Sequence, residues 1–165
     1  MSDSPTFYIF HGDDDISIGG ALKRMRDAMG DDGDLNTSEF EGADTTVPDV
    51  LGAAKSMPFL SDKRLVIVRG LIQHITRKGA GETGKKASER LLEELPNLPA
   101  YARLVMIERD VIADNNKILK ATVTMKNGYI GKFEKPQNLM SWIIKRAKTE
   151  YKTEILPQAA QALTD

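Results

Sequence analysis

The chain has 165 residues, 41% of them apolar and 28% charged, enough for one domain with a real core and a fragment of a second. Its formal net charge of −1 offers no general attraction to nucleic acid or to a membrane surface. No cysteine is present, which excludes disulfides and thiolate chemistry and suits a reducing cytoplasm. The start, Met1-Ser2-Asp3-Ser4-Pro5, lacks the basic and apolar runs of a signal peptide, and no apolar stretch approaches a membrane span. A soluble, cytoplasmic protein is expected.

In chain order, Phe7 to Phe10 reads as a first buried strand. His11-Gly12-Asp13-Asp14-Asp15 then turns into a helix from Ile16 to about Met29, with Ile18, Leu22, Met25 and Met29 at helical spacing and Asp15 as the expected N-cap. Leu35 to Phe40 is a second strand. A helix from Val47 to Ser56 stops at Met57-Pro58, since proline disfavours helical geometry in the residue before it. Leu65 to Val68, bounded by charges and Gly70, is the apolar run of a strand buried on both faces. From Leu71 to Lys86 the periodicity fails. Gly79, Gly81 and Gly84 among Arg77, Lys78, Lys85 and Lys86 predict a mobile surface loop. A helix from about Ala87 to Leu95, a strand from Ala102 to Glu108, a helix from Asn115 to about Met125 and a strand from Tyr129 to Phe133 follow. Pro136 opens a helix carrying Leu139, Met140, Ile143, Ile144 and Ala147, and after Tyr151 the chain restarts at Leu156. Five strands alternating with helices give an α/β fold, a parallel sheet with helices on both faces. The sheet domain is expected over residues 1–150, with a further helical domain beginning at 151–165.

Ligands of such sheets bind beyond the carboxyl ends of the strands, so phosphate or metal chemistry would stand at those ends. After the first strand, a phosphate-binding loop counted from Gly12 needs Gly-Lys-Ser/Thr where the chain has Ser17, Ile18 and Gly19. The lysine is absent, and Asp13 to Asp15 would repel a polyphosphate. The turn reads as a helix cap on a degenerate loop, a carboxylate-bound cation being the lesser reading. Gly79 to Lys85 matches the spacing of such a loop, but Lys86 holds the hydroxyl position and no strand ends just before it. A nucleotide hydrolase keeps acidic residues after its third strand for magnesium, and this chain has Arg69-Gly70. Glu108-Arg109-Asp110 reads as a solvated loop. His11 and His74 lack metal-ligand spacing, and no nucleophile–base pair stands out, so neither metal nor cofactor is expected.

Between helix and strand, Phe59 and Leu60 stand where a connection should be polar. Apolar residues there either fold back onto the core or wait for a partner. The phrases Phe59-Leu60-Ser61-Asp62-Lys63-Arg64-Leu65-Val66-Ile67-Val68-Arg69 and Leu92-Glu93-Glu94-Leu95-Pro96-Asn97-Leu98-Pro99, with Phe7 to Asp15 and Gly128 to Leu156, resemble the delta subunit of the bacterial DNA polymerase III clamp loader. The resemblance implies an AAA+ (P-loop-like) sheet domain followed by the start of a small helical lid, in a protein whose C-terminal collar builds the loader. It implies a role in DNA replication: a subunit that neither binds nor hydrolyses ATP but grips the ring-shaped sliding clamp and helps open it for loading onto primed DNA. As part of the holoenzyme it would be grouped with DNA-directed DNA polymerases, which are nucleotidyltransferases. The clamp-binding positions carried over are Met57, Phe59 and Leu60, and the partners are the clamp, the other loader subunits and primed DNA. The loop from Ile72 to Lys86 matches no firm family pattern, and Asp13 to Asp15 is more acidic than the usual turn. Two other readings stand beside this one, an active P-loop ATPase or nucleotide kinase using Gly79 to Lys85, and a DNA-binding module.

Overall fold

The computed structural model describes residues 4–136 together with Ile143, Ile144 and Arg146. The chain separates into two compact units, Met1–Phe133 and Glu134–Asp165. The first unit is a five-stranded parallel sheet in the order β2-β3-β4-β1-β5. Its strands are β1 (Phe7–His11), β2 (Thr37–Glu41), β3 (Arg64–Arg69), β4 (Ala102–Glu108) and β5 (Gly128–Lys132). The helices are α1 (Asp15–Asp27), α2 (Val47–Lys55), α3 (Leu71–Thr76), α4 (Gly81–Glu94) and α5 (Lys117–Thr122). Nearly all of the helix expected from Pro136, the restart at Leu156 and the expected boundary at residue 150 lie outside the described residues.

Alternation along the central strands decides what covers each face. Phe7, Ile9, Val66, Val68, Leu104 and Met106 point to one side and pack against α2, α3, α4 and α5. Phe10, Leu65, Ile67, Val105 and Ile107 point to the other and meet Ile18, Ala21 and Leu22 of α1. Every residue of β4 is buried. The apolar runs that predicted strands buried on both faces are therefore the middle of the sheet, as expected of a parallel sheet between helical layers. β2 is an edge strand with half-exposed residues.

Three expectations are corrected. The stretch from Leu71 to Lys86 holds α3 and the first turns of α4, and only residues 77–80 separate them. Gly79 (φ 89°) and Gly81 (φ 65°) make the break between the helices. Gly84 serves packing: a Cβ there would lie 2.4 Å from the Ala80 Cβ and 2.5 Å from the Ile75 carbonyl oxygen. The helix expected from Ala87 therefore begins at Gly81. The second correction concerns α1, which is capped by Asp14 rather than Asp15; its side chain accepts from the Ser17 N–H and the Ser17 hydroxyl. Third, Leu35 belongs to a 3-10 turn, Asp34–Asn36, ahead of β2.

Candidate functional site

At the carboxyl edge of the sheet, most backbone donors of the turn after β1 are already taken. The N–H of Gly12 goes to the Glu108 carbonyl (3.3 Å) and that of Asp14 to the Phe133 carbonyl (3.1 Å). Those of Asp15, Ser17 and Ile18 are spent on the Asp13 carbonyl, the Asp14 side chain and the Asp14 carbonyl. The Phe133 backbone fills the space as well, since a Cβ on Gly12 (φ 136°) would lie 1.8 Å from the Phe133 carbonyl oxygen. A phosphate cradle requires free, converging N–H groups, and here β4, the Phe133 carbonyl beyond β5 and the turn itself take those five. Asp14, buried, caps α1, and among the described residues no group of three or more carboxylate, histidine or cysteine side chains is placed to hold a metal.

A cleft of about 610 Å³ remains beside this turn, lined by Asp15, Glu41, Arg69, His74, Glu108 and Asp110 among others. Arg69, at the place of a hydrolase's magnesium carboxylate, donates to Glu39 (3.0 Å). That bond, with a second from Arg26 at 2.7 Å, holds the Glu39 carboxyl below its usual range. Glu108 is not a solvated residue; it is 2% exposed. Its carboxylate accepts from the N–H groups of Ile72 (2.7 Å) and Gln73 (3.2 Å) at the start of α3. Burial pushes its pKa up to about 7 in spite of those bonds, and Asp110 adds to the rise. Next to it in register, His11 accepts the Ile112 N–H on Nδ1 at 2.9 Å. Arg69 and Glu39 are thus paired with each other, and Glu108 and His11 with backbone N–H groups. The decoy from Gly79 to Lys85 is the end of the break between two helices and the first turn of α4, with Gly84 facing the core, so the strand that should precede a phosphate loop is missing.

The amino edge of the sheet is different. Between α2 and β3 the chain runs without regular structure, and its apolar side chains stand in solvent: Met57 is 81% exposed, Phe59 61% and Leu60 73%. Leu35, on the 3-10 turn before β2, is 62% exposed and was missed because a leucine at the head of a stretch closing on Phe40 reads as part of the strand. The connection is not loose, since its backbone is tied down on several sides. Ser56 closes α2 by donating its N–H to the Gly52 carbonyl (3.1 Å) and its hydroxyl to the same oxygen (2.9 Å). The Tyr101 hydroxyl donates to the Lys55 carbonyl. Arg64 donates from Nε to the Ala53 carbonyl (3.0 Å) and from a terminal nitrogen to the Ser38 hydroxyl (2.6 Å). The Asn36 side chain pairs with both backbone groups of Phe59. Leu60 sits at φ 55°, and it alone among the described non-glycine residues has positive φ. A fixed backbone carrying exposed large apolar side chains is the form of a protein-binding surface.

Fold and site together define a five-stranded parallel α/β domain whose turn after β1 is crossed by the Phe133 backbone and whose exposed apolar face lies at the opposite edge. Residues 8–127 match the family described as DNA polymerase III, delta subunit. The chain belongs to that family. Among solved structures it is similar to the Bacillus subtilis DNA clamp loader delta protein (YqeN), with a TM-score of 0.77 at 20% identity, over 98% of this chain and 48% of that one. The chain thus spans about half the length of that protein, and what the two share is the fold. No curated protein matches the sequence.

Proposed function

We propose that this protein acts in DNA replication as a clamp-loader subunit that binds the ring-shaped sliding clamp and helps open it, using Phe59 and Leu60 as anchors with Met57 and Leu35 beside them. It acts within an assembly of other loader subunits on primed DNA, and it is not itself an ATPase. The observation that carries the reading is the exposure of Phe59 and Leu60 on a connection whose backbone is hydrogen-bonded in place. Burying each in a preformed pocket is worth roughly 1.5–3 kcal/mol, and two such anchors can dominate a modest interface. Family membership supports the partner, and the filled turn after β1 supports a role without nucleotide.

Calorimetric titration against the cognate clamp tests the reading. Phe59→Ala with Leu60→Ala should cost on the order of 3–6 kcal/mol of binding, two to four decades of affinity. The melting temperature should stay within a few degrees, because neither side chain contributes to the core. Unchanged clamp affinity would end the anchor reading. ATP with magnesium in the same calorimeter should give no binding heat, and micromolar affinity would contradict the role without nucleotide.

A further inference from the structure

We propose that Asn36 is the positioning residue of the apolar connection, fixing the backbone of Phe59 and Leu60 in the conformation that the clamp takes up. The proposal rests on the anchor reading given above. Asn36 is 1% exposed, and its side chain is committed on three sides. Its Oδ1 accepts from the Phe59 N–H at 2.6 Å, and its Nδ2 donates to the Phe59 carbonyl at 2.8 Å and to the Asp32 carbonyl at 3.1 Å. Exchange of both backbone bonds with one residue is what a neighbouring strand does in a sheet. Here a side-chain amide does it for a segment that has no strand beside it.

The next residue shows why such a restraint is needed. Leu60 is held at φ 55°, a left-handed conformation that L-residues adopt at a cost and keep only where their surroundings impose it. Burial cannot impose it, since the side chains of Met57, Phe59 and Leu60 stand in solvent. The bonds available to do so are those on the backbone, and the pair on Phe59 is immediately adjacent. Glycine would take this conformation without strain and would offer no side chain. A leucine here keeps the apolar group and depends on its neighbour to set the turn. Holding the loop in its bound shape beforehand removes an ordering cost from binding.

The test is a double-mutant cycle on clamp affinity with Asn36→Ala, Phe59→Ala and the pair, each checked by thermal melting. Loss of the amide should weaken binding about ten-fold. Because Asn36 acts through the segment that presents Phe59 and Leu60, the effects should be non-additive, with Asn36→Ala adding less than ten-fold in the Phe59→Ala background, where Leu60 is the anchor still to be positioned. Independent multiplication of the two effects would assign Asn36 to general stability and overturn the proposal. If Phe59→Ala loses affinity while Asn36→Ala keeps it, the positioning role alone fails. If Phe59→Ala itself leaves affinity unchanged, the anchor reading fails first. Should Asn36→Ala not fold, amide exchange in the unaltered protein decides. The Phe59 amide should be protected on a loop whose neighbouring Leu60 amide exchanges quickly, and equally fast exchange at both would overturn the proposal.

Discussion

Burial sets the chemistry of Glu108 more than any charge near it. Its pKa of about 7 lies above the ordinary 4.5 because removing the carboxylate from water costs more than the Ile72 and Gln73 N–H bonds return. A raised carboxyl pKa means that the folded protein holds the proton more tightly than the unfolded chain. The associated stability is fully present below about pH 4.5 and is lost as pH rises towards 7. Glu108→Gln keeps an oxygen to accept the two N–H bonds and removes the ionisation. The variant should match the parent in urea unfolding at pH 5 and exceed it at pH 8, by on the order of 3 kcal/mol at most. A variant less stable than the parent at pH 8 would mean that the charged form is what α3 requires. None of this is legible in Glu108-Arg109-Asp110 as a sequence, which resembles any exposed charged loop. What buries Glu108 is α3, reached through contacts 35 and 36 residues away in the chain.

At the scale of elements, the central strands were legible because a parallel sheet needs apolar residues on both faces, and Leu65 to Val68 and Leu104 to Ile107 carry them in unbroken runs. The region from Leu71 to Lys86 was misread for a physical reason. Glycine and lysine lower helix periodicity in sequence whether they mark a flexible loop or a helix packed closely on one side and solvated on the other. Gly84 against Ile75 is the second case. Hydrogen exchange should separate the two. Amides of the α4 interior, from about Leu91 back to Lys85, and of Ile75 and Thr76 in α3 should be protected, and only residues 77–80 should exchange fast. Uniformly fast exchange from Leu71 to Lys86 would restore the loop. Asn36 was illegible for a related reason. Inside the stretch from Leu35 to Phe40, read as strand, an asparagine looks like one more strand residue, and its partner Phe59 lies 23 residues further on.

Across the whole molecule the two edges of one sheet have different fates. β3 runs from the apolar connection at its amino end to Arg69 at its carboxyl end, six residues or about 20 Å. At the carboxyl edge, where such sheets hold nucleotide, the Phe133 backbone crosses the turn after β1 and Glu108 is bonded to the start of α3. The amino edge presents the apolar side chains, with Asn36 and Arg64 bracing them from the starts of β2 and β3. Among the described residues no helix is long and apolar enough to cross a membrane. The missing lysine at Ile18 and the Arg69-Gly70 pair were visible in the sequence as losses. That the Phe133 carbonyl takes up the Asp14 N–H was not, because β5 and the first turn meet only in the folded sheet.

Hydroxyl-radical footprinting of the protein alone and bound to its cognate clamp tests the central claim most directly. Met57, Phe59 and Leu60, exposed in the free protein, should react readily when alone. In the complex all of them should be strongly protected, while Val123 and Tyr129, which are also exposed, stay unchanged. A complex in which Met57, Phe59 and Leu60 react as fast as in the free protein would contradict the account.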